Sequence, residues 1–372
     1  HHLKAEAAPL ESEFVTAFID VQQQCLFYEV RAHAMDSSSW ILQYGTWPGQ
    51  PRAYYTLSDI KMTLESMYPK MPNLQTRLIA AVKDLAKLLF EKEWKREDGH
   101  TLNLNVAGID ANWETETIKK AVRISGYMNR LIPTHGRSFR PPKTAINELP
   151  KKETDRVGLF WRLRSPREKE AIRHLIYDVD HWKSHHRDRL LIPQEAPGSC
   201  SLFAGRDHTM YADHQLSEYA NFIHDISSQR TVEVWEHRPE RPDNHFWDCS
   251  VGNSMLGGML GCVLPDAAAD PVVGGVAQHG GNAQQHGEPR RRQRSAGVDR
   301  GQVQHALRRE PQPAGTLDAG GAGDGCHHRG RHAGTHRRCP STMATVTACQ
   351  MRGAVTTHLG PRHGAPQPHR RR

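Results

Sequence analysis

The stretch FVTAFIDVQQQCLFYEVRAHA, residues 14–34, decides how this chain folds. Its first apolar run ends at Asp20, and after a few polar residues a second run from Leu26 to Arg31 alternates in side-chain character. A period of two is typical of β-strands, so the stretch predicts two consecutive strands. At the end of a buried strand a carboxylate must be exposed, paired or bound to a metal, because burying it alone costs too much free energy. For a single acid at such a position, a turn cap is the simplest interpretation.

Working outward, a third apolar run at residues 39–44 is closed by Gly45 and by turn residues. Three strands with short connections predict an antiparallel meander. Residues 102–109 then repeat the first arrangement: the run alternates, ends in Asp110 and is followed by a helical pattern over residues 114–125. A strand, an acid and a helix in this order indicate a βα unit, whose ligands lie at the carboxyl ends of its strands.

The rest of the ordered region alternates helical and strand patterns. Helical spacing is present in residues 54–67 and 74–94, and in 180–190 with Asp180 as N-cap. Strand patterns cover residues 130–133, 157–164, 170–178 and 231–237. The predicted fold class is therefore α/β, a mixed sheet flanked by helices.

The last ordered element, residues 243–262, predicts a packed helix with several glycines that permit close approach. Within it His245 and Asp248 are three residues apart, so both lie on one face of the first turn. An Asp between Trp247 and Cys249 on a packing helix needs a partner.

Beyond Cys262 the composition changes. Residues 263–372 contain no Lys, Ile, Phe, Tyr or Trp, and they carry 16 Arg against 7 acids, a net charge of +9. Subtracting this from the whole-chain charge of +8 leaves about −1 for residues 1–262. We expect this tail to be disordered, because it has too little apolar surface to offset its ordering entropy. An arginine-rich nucleic-acid arm is one interpretation, and out-of-frame translation of GC-rich DNA is the favoured one.

Cysteine spacing, the length of the apolar runs and the first residue limit the class of protein that this chain can be. The seven cysteines have no C-x-x-C spacing, which favours a reduced, intracellular protein, and no apolar run is long enough to span a membrane. The chain begins at His1 rather than Met, so residues 1–13 are interpreted as the leader of a fragment. The expected domain is residues 14–262.

Three sets of polar residues allow a functional or a structural interpretation: four histidines, Glu218 and the cations of one loop. The histidines at 174, 181, 185 and 186 suggest zinc, but without a recognised ligand spacing a His-rich surface helix is the better prediction. Glu218 is either an auxiliary ligand or a helix-surface acid. In the loop HGRSFRPPK, residues 135–143, three cations are candidates for phosphate contacts: Arg137, Arg140 and Lys143.

Three acids remain as candidates for chemistry: Asp20, Asp110 and Asp248. Phosphodiester cleavage needs an activated water and a stabilised leaving oxygen, and two divalent ions about 4 Å apart, held by carboxylates, provide both. Widely spaced acids at strand ends and on one helix meet that requirement.

With these residues the sequence resembles the nuclease domain of phage terminase large subunits, the DNA-packaging motor proteins. The resemblance covers about residues 11–262 and rests on these motifs: FIDVQ, EVRAHA, SSSWILQYGTWPGQ, AGIDANW, HGRSFRPPK, DVDHWK, MYADHQLSEY and NHFWDC. It implies an RNase H-like fold, with Asp20 as central acid, Asp110 as the second, Asp248 as the third, and His245 close to the metal.

The resemblance also implies a function. It predicts an endonuclease that uses Mg²⁺ or Mn²⁺ to cut concatemeric double-stranded DNA in the host cytoplasm, with a small terminase subunit and a portal as partners of the parent protein. No P-loop motif occurs in this chain, so ATP-driven translocation is not predicted. Two alternatives stay open: another RNase H-like nuclease, such as a resolvase or transposase, and a non-catalytic prophage remnant.

Overall fold

The computed structural model describes residues 3–165 and 172–262. The first two residues of the expected leader, the start of the strand predicted at 170–178, and the whole tail from residue 263 lie outside the described residues.

Fourteen strands and six α-helices make up this region. The strands are β1 (Ala7–Ala8), β2 (Phe14–Val21), β3 (Leu26–His33), β4 (Ser39–Trp47), β5 (Trp94–Arg96), β6 (Thr101–Leu102), β7 (Leu104–Asp110), β8 (Leu131–Arg137), β9 (Arg156–Gly158), β10 (Trp161–Arg164), β11 (His174–Asp178), β12 (Cys200–Leu202), β13 (Glu218–Asp225) and β14 (Arg230–His237). The helices are α1 (Leu64–Met67), α2 (Leu74–Glu91), α3 (Thr115–Ile124), α4 (Val179–Leu191), α5 (Thr209–Gln215) and α6 (His245–Leu260).

Nine strands form one mixed sheet in the order β12-β4-β3-β2-β7-β8-β11-β10-β9. At its centre β2, β3 and β4 pair antiparallel, which confirms the predicted meander. β7 adds parallel to β2, β8 to β7 and β11 to β8. A three-stranded meander extended by parallel strands on the side of its first strand is the RNase H-like arrangement expected from the resemblance.

Helix α6 covers the meander, and its small residues explain the close approach. A Cβ at Gly252 would lie 2.1 Å from the Phe18 ring, and one at Gly257 would lie 2.6 Å from the His33 ring. Thr16 donates a 2.7 Å hydrogen bond to Asn253 on the same helix. The face of β2 that carries Thr16, Phe18 and Asp20 therefore lies against α6.

A buried ion pair joins the same helix to β3. Oε1 of Glu29 lies 2.7 Å from Nη2 of Arg31, and each residue is at most 1% exposed. Side chains of α6 and α5 add hydrogen bonds to this pair: Asn253 and Ser250 donate to Glu29, Ser254 accepts from Arg31, and Tyr211 donates to Glu29. Because buried charges are tolerated only when paired and hydrogen-bonded, this network holds α6 in one register on the sheet.

Two predicted helices are shorter in the structure. Residues 54–67, predicted as one helix, contain only a 3-10 turn at Leu57–Asp59 and the single-turn helix α1. Helix α2 was predicted to extend to residue 94 but ends at Glu91, since Lys92 is already extended and Trp94 begins β5, where it is fully buried.

Helix α4 was predicted at residues 180–190 and is present at Val179–Leu191, but the predicted N-cap and the predicted position of its His cluster on the surface were wrong. The N-cap is Asp178, whereas Asp180 accepts a 3.0 Å hydrogen bond from the Trp235 backbone N–H. The helix is not a surface helix, since Trp182 and His186 are almost fully buried. Burial lowers the pKa of His185 to about 3, so this ring is neutral at physiological pH.

Strand β13 was not predicted. Glu218 begins it and is 8% exposed, so the interpretation as a helix-surface acid was wrong. In the described ranges no helix has the length and apolar character needed to cross a membrane.

Candidate active site

Asp20 and Asp110 end two neighbouring parallel strands. Ile19 pairs with Ile109 across β2 and β7, so the acids that follow them lie side by side at the carboxyl edge of the sheet. Glycine at position 108 keeps β7 close to its neighbours, because a Cβ there would meet the Phe18 ring at 2.8 Å. The local strand pattern therefore brings together two residues that are far apart in the sequence.

Helix α6 brings His245 to the same edge. Its Nδ1 donates to Oδ2 of Asp20 at 2.9 Å, and its ring stacks on Phe27 with centroids 4.3 Å apart. The second nitrogen, Nε2, is buried without a hydrogen-bond partner among the described residues, and it lies 3.8 Å from Oδ1 of Asp243. The side chain of Gln22 also donates to Oδ2 of Asp20, at 2.9 Å.

Asp248 lies one turn further along α6 than His245, whose ring is hydrogen-bonded to Asp20. Burial and the charge of Asp20 raise the pKa of Asp110 to about 7. The pKa of Asp248 also rises to about 7, because burial and the charges of Asp20 and Glu218 outweigh the opposing effects of Lys183 and His245. Asp20 therefore acts on both other acids, as expected for carboxylates that share one site.

Lys183 is a neighbour of the site that the sequence did not reveal, and its partner is Glu218, which the sequence analysis considered as an auxiliary ligand. Nζ of Lys183 donates to both oxygens of Glu218, at 2.7 and 2.5 Å, and lies 3.9 Å from Oδ1 of Asp248. Asn244, at the start of α6, donates to Glu218 at 3.0 Å. The buried Lys183 ammonium therefore lies beside Asp248, and hydrogen bonds from both Lys183 and Asn244 hold Glu218 in place.

Tyr177 on β11 closes the site from the side of the parallel strands. Burial and the charges of Asp110, Asp248 and Asp20 raise its pKa well above the usual value, so it stays protonated. Cys249, on the turn that carries Asp248, is fully buried with a raised thiol pKa, again mainly because of burial. This thiol is therefore a packing residue and no nucleophile.

The acids fit a hard divalent cation by their chemistry. They are oxygen donors that repel one another in a buried place, and a cation among them would relieve that repulsion. Among the described residues, no three His, Cys, Asp or Glu side chains already form a metal-holding group. Mg²⁺ is commonly bound through one or two carboxylates with water and substrate phosphate, so it needs no such protein cage.

The predicted phosphate contacts lie in and beside the loop after β8. Arg137 is exposed at the end of that strand. Arg140 instead holds the loop to its neighbours, donating to Ser138 and to the Trp235 carbonyl, each at 2.9 Å. Lys143 is exposed, with Nζ 3.4 Å from the Ser138 carbonyl. The three cations are therefore not equivalent, because Arg140 is already engaged.

Comparison with known proteins gives one family. The model of the terminase large subunit gpA endonuclease domain matches residues 1–263, more than half of the chain. The same comparison finds no curated protein and no solved structure that matches this chain. The family match covers every residue of the site just described, and the RNase H-like sheet agrees with the fold expected from the resemblance. On this evidence the chain belongs to the family of terminase large subunit gpA endonuclease domains.

Proposed function

We propose that this domain is a metal-dependent endonuclease that cuts concatemeric double-stranded DNA during packaging, with Asp20, Asp110 and Asp248 as its catalytic acids. The observation that carries the proposal is geometric: Asp20 and Asp110 lie side by side at the carboxyl ends of the paired strands β2 and β7, and His245, one turn before Asp248 on α6, is hydrogen-bonded to Asp20. A structural role alone does not account for three repelling carboxylates at one sheet edge, because their mutual repulsion lowers stability.

Each acid would have its own role toward two Mg²⁺ or Mn²⁺ ions. Asp20 would contact both ions, Asp110 one and Asp248 the other. Bound there, the ions supply an activated water and stabilise the leaving oxygen of the phosphodiester. His245 fixes the orientation of Asp20 through its 2.9 Å hydrogen bond, as groups behind metal ligands commonly do.

The cations around the acids support binding of a polyanion. Arg137 and Lys143 are exposed beside the edge that carries Asp110, and we propose that they contact the DNA backbone without reading bases. Arg140 supports them by holding the loop. We propose the small terminase subunit and the portal as partners of the parent protein, and this proposal rests on the family match alone.

The proposal is tested by incubating the full chain with supercoiled plasmid and Mg²⁺ or Mn²⁺. We expect metal-dependent nicking that EDTA abolishes and that Asp20→Asn, Asp110→Asn and Asp248→Asn each remove. Asp98→Asn is the matched control, since that carboxylate pairs with Arg96 at the surface, 2.6 Å away.

Circular dichroism spectra of all variants are compared with that of the wild type, to distinguish a loss of activity from a loss of folded structure. A folded protein that nicks with neither ion would overturn the proposal and favour the non-catalytic alternative. Preferential cleavage of four-way junctions over linear duplex would favour the resolvase alternative.

A further inference from the structure

Strands β13 and β14 form a two-stranded ribbon separate from the main sheet. They pair antiparallel along their whole length, from Glu218 with His237 to Asp225 with Arg230, and a four-residue turn joins them. Trp235 anchors the ribbon, since its ring lies 5.1 Å from that of Trp247 on α6. The end that carries the turn points away from this anchor.

The outer end of the ribbon is apolar and exposed. Phe222 is 74% exposed, Ile226 78% and Ile223 37%. Single exposed apolar residues are ordinary, but Phe222 and Ile226 are four positions apart, an even spacing that favours one face of the ribbon, whereas Ile223 lies on the other face. At about 3.3 Å per residue Phe222 and Ile226 are roughly 13 Å apart along the ribbon, which is the scale of the DNA major groove.

The base of the ribbon belongs to the candidate active site. Glu218, its first residue, holds Lys183, whose Nζ lies 3.9 Å from Asp248. Its other strand is tied to the cationic loop, because Arg230 donates to the Lys143 carbonyl at 2.6 Å and to the Phe139 carbonyl at 3.4 Å. Acids, cationic loop and apolar tip are therefore parts of one connected surface.

We propose that the tip of this ribbon is a DNA wedge, which inserts Phe222 and Ile226 between base pairs of duplex DNA next to the bond to be cut. The inference rests on the proposed function. A two-stranded ribbon fits a DNA groove, and apolar side chains such as Phe and Ile unstack base steps and bend the duplex.

The depth of the acids explains why a bend would be needed. The Asp20 side chain is only 7% exposed, whereas that of Asp248 is 34% exposed, so Asp248 lies at the rim of the site and a phosphate must pass this rim to reach Asp20. A straight duplex presents its phosphates on a convex surface, whereas an unstacked step allows the backbone to turn inward. The exposed cations Arg137 and Lys143 beside the ribbon favour a polyanion over a second copy of this chain as its partner.

The test measures binding of the full chain in EDTA, where no cleavage occurs, to a short labelled duplex and to the same duplex carrying a small bulge. Phe222→Ala combined with Ile226→Ala should weaken binding to the intact duplex by about fivefold or more. Affinity for the bulged duplex should be nearly unchanged, because its unstacking is already present. The control is Leu10→Ala, a residue 53% exposed that precedes β2 at the end opposite Asp20.

Equal weakening on both DNAs, or no weakening on either, would overturn the wedge. Loss of self-association in light scattering without a change in DNA binding would identify the tip as a contact between copies and would also overturn it. Failure of the proposed nuclease is distinguished by the separate plasmid assay, since binding in EDTA needs no catalysis.

Discussion

His245 and Asp20, 225 residues apart in the chain, share a 2.9 Å hydrogen bond that joins α6 to the end of β2. The bond fixes one oxygen of the acid that lies at the centre of the site. We expect His245→Gln to reduce plasmid nicking by about 10–100-fold, the usual effect of losing a group behind a metal ligand, and to raise the Mg²⁺ concentration needed for half-maximal rate. His100→Gln, an exposed histidine, is the control. An unchanged rate with unchanged metal dependence would contradict the orienting role.

The rate of nicking should rise with pH through about 7 at low Mg²⁺. Asp110 and Asp248 both have a pKa raised to about 7, chiefly by burial, and only the ionised carboxylates bind a cation. Protons and metal compete for these sites, so the midpoint of the pH profile should move to lower pH as Mg²⁺ increases. Initial rates measured from about pH 5.5 to 8.5 at several Mg²⁺ concentrations check this, and a midpoint independent of metal would contradict it.

Stability without metal should show the opposite trend with pH. An acid whose folded pKa is raised from 3.8 to about 7 holds its proton more tightly in the folded protein. Stability from this source is present at low pH and is lost as pH rises through about 7. Asp110→Asn, which cannot ionise, should therefore raise the melting temperature by about 2–4 °C more at pH 8 than at pH 5, and it should change the melting temperature least below pH 3.8, where Asp110 keeps its proton in the unfolded chain too.

Thermal melts of the full chain in EDTA give these values, with Asp98→Asn as the surface control. Adding Mg²⁺ at pH 8 should stabilise the wild type more than Asp110→Asn. If the variant were destabilised at both pH values, its carboxylate would have a structural role.

The buried pair of Glu29 and Arg31 should matter for folding more than for catalysis. Glu29→Ala leaves the Arg31 guanidinium buried without its partner, and we expect a loss of about 3–5 kcal/mol in the free energy of unfolding. Combining it with Arg31→Met should recover part of that loss, because the unpaired charge is gone. Urea unfolding checks both variants, and Glu93→Ala, from the exposed pair with Lys95, should change stability by less than about 0.5 kcal/mol.

Local patterns predicted the strand elements of the site well. β2 and β7 were found because alternation is a local signal, and each strand carries an Asp at its last or next-to-last position. α6 was found because capping residues precede an apolar run with glycines. In each case the residues that define the element are neighbours in the chain.

Pairings between distant segments were not predictable in the same way. Lys183 and Glu218 are 35 residues apart, and nothing near either one shows that the two will be buried together. The charges and histidines of α4 suggested a solvated helix, whereas its neighbours α6 and β14 bury both Trp182 and His186. Tertiary contacts therefore overrode the local polarity of that helix.

Gly252 links the packing of α6 to the position of Asp248, one turn earlier on the same helix. A Cβ at this position would lie 2.1–2.3 Å from the Phe18 ring, which is itself only 2% exposed and has no room to move freely. Gly252→Ala should cost about 1–3 kcal/mol through overpacking, and it should reduce nicking because α6 must shift away from β2. Combining Gly252→Ala with Phe18→Leu should restore part of the lost stability and part of the lost nicking activity. Gly49→Ala is the control, since nothing lies within 4 Å of a Cβ there. Unfolding and plasmid nicking are measured on the same preparations, and full activity in a destabilised Gly252→Ala would show that Asp248 does not depend on this contact.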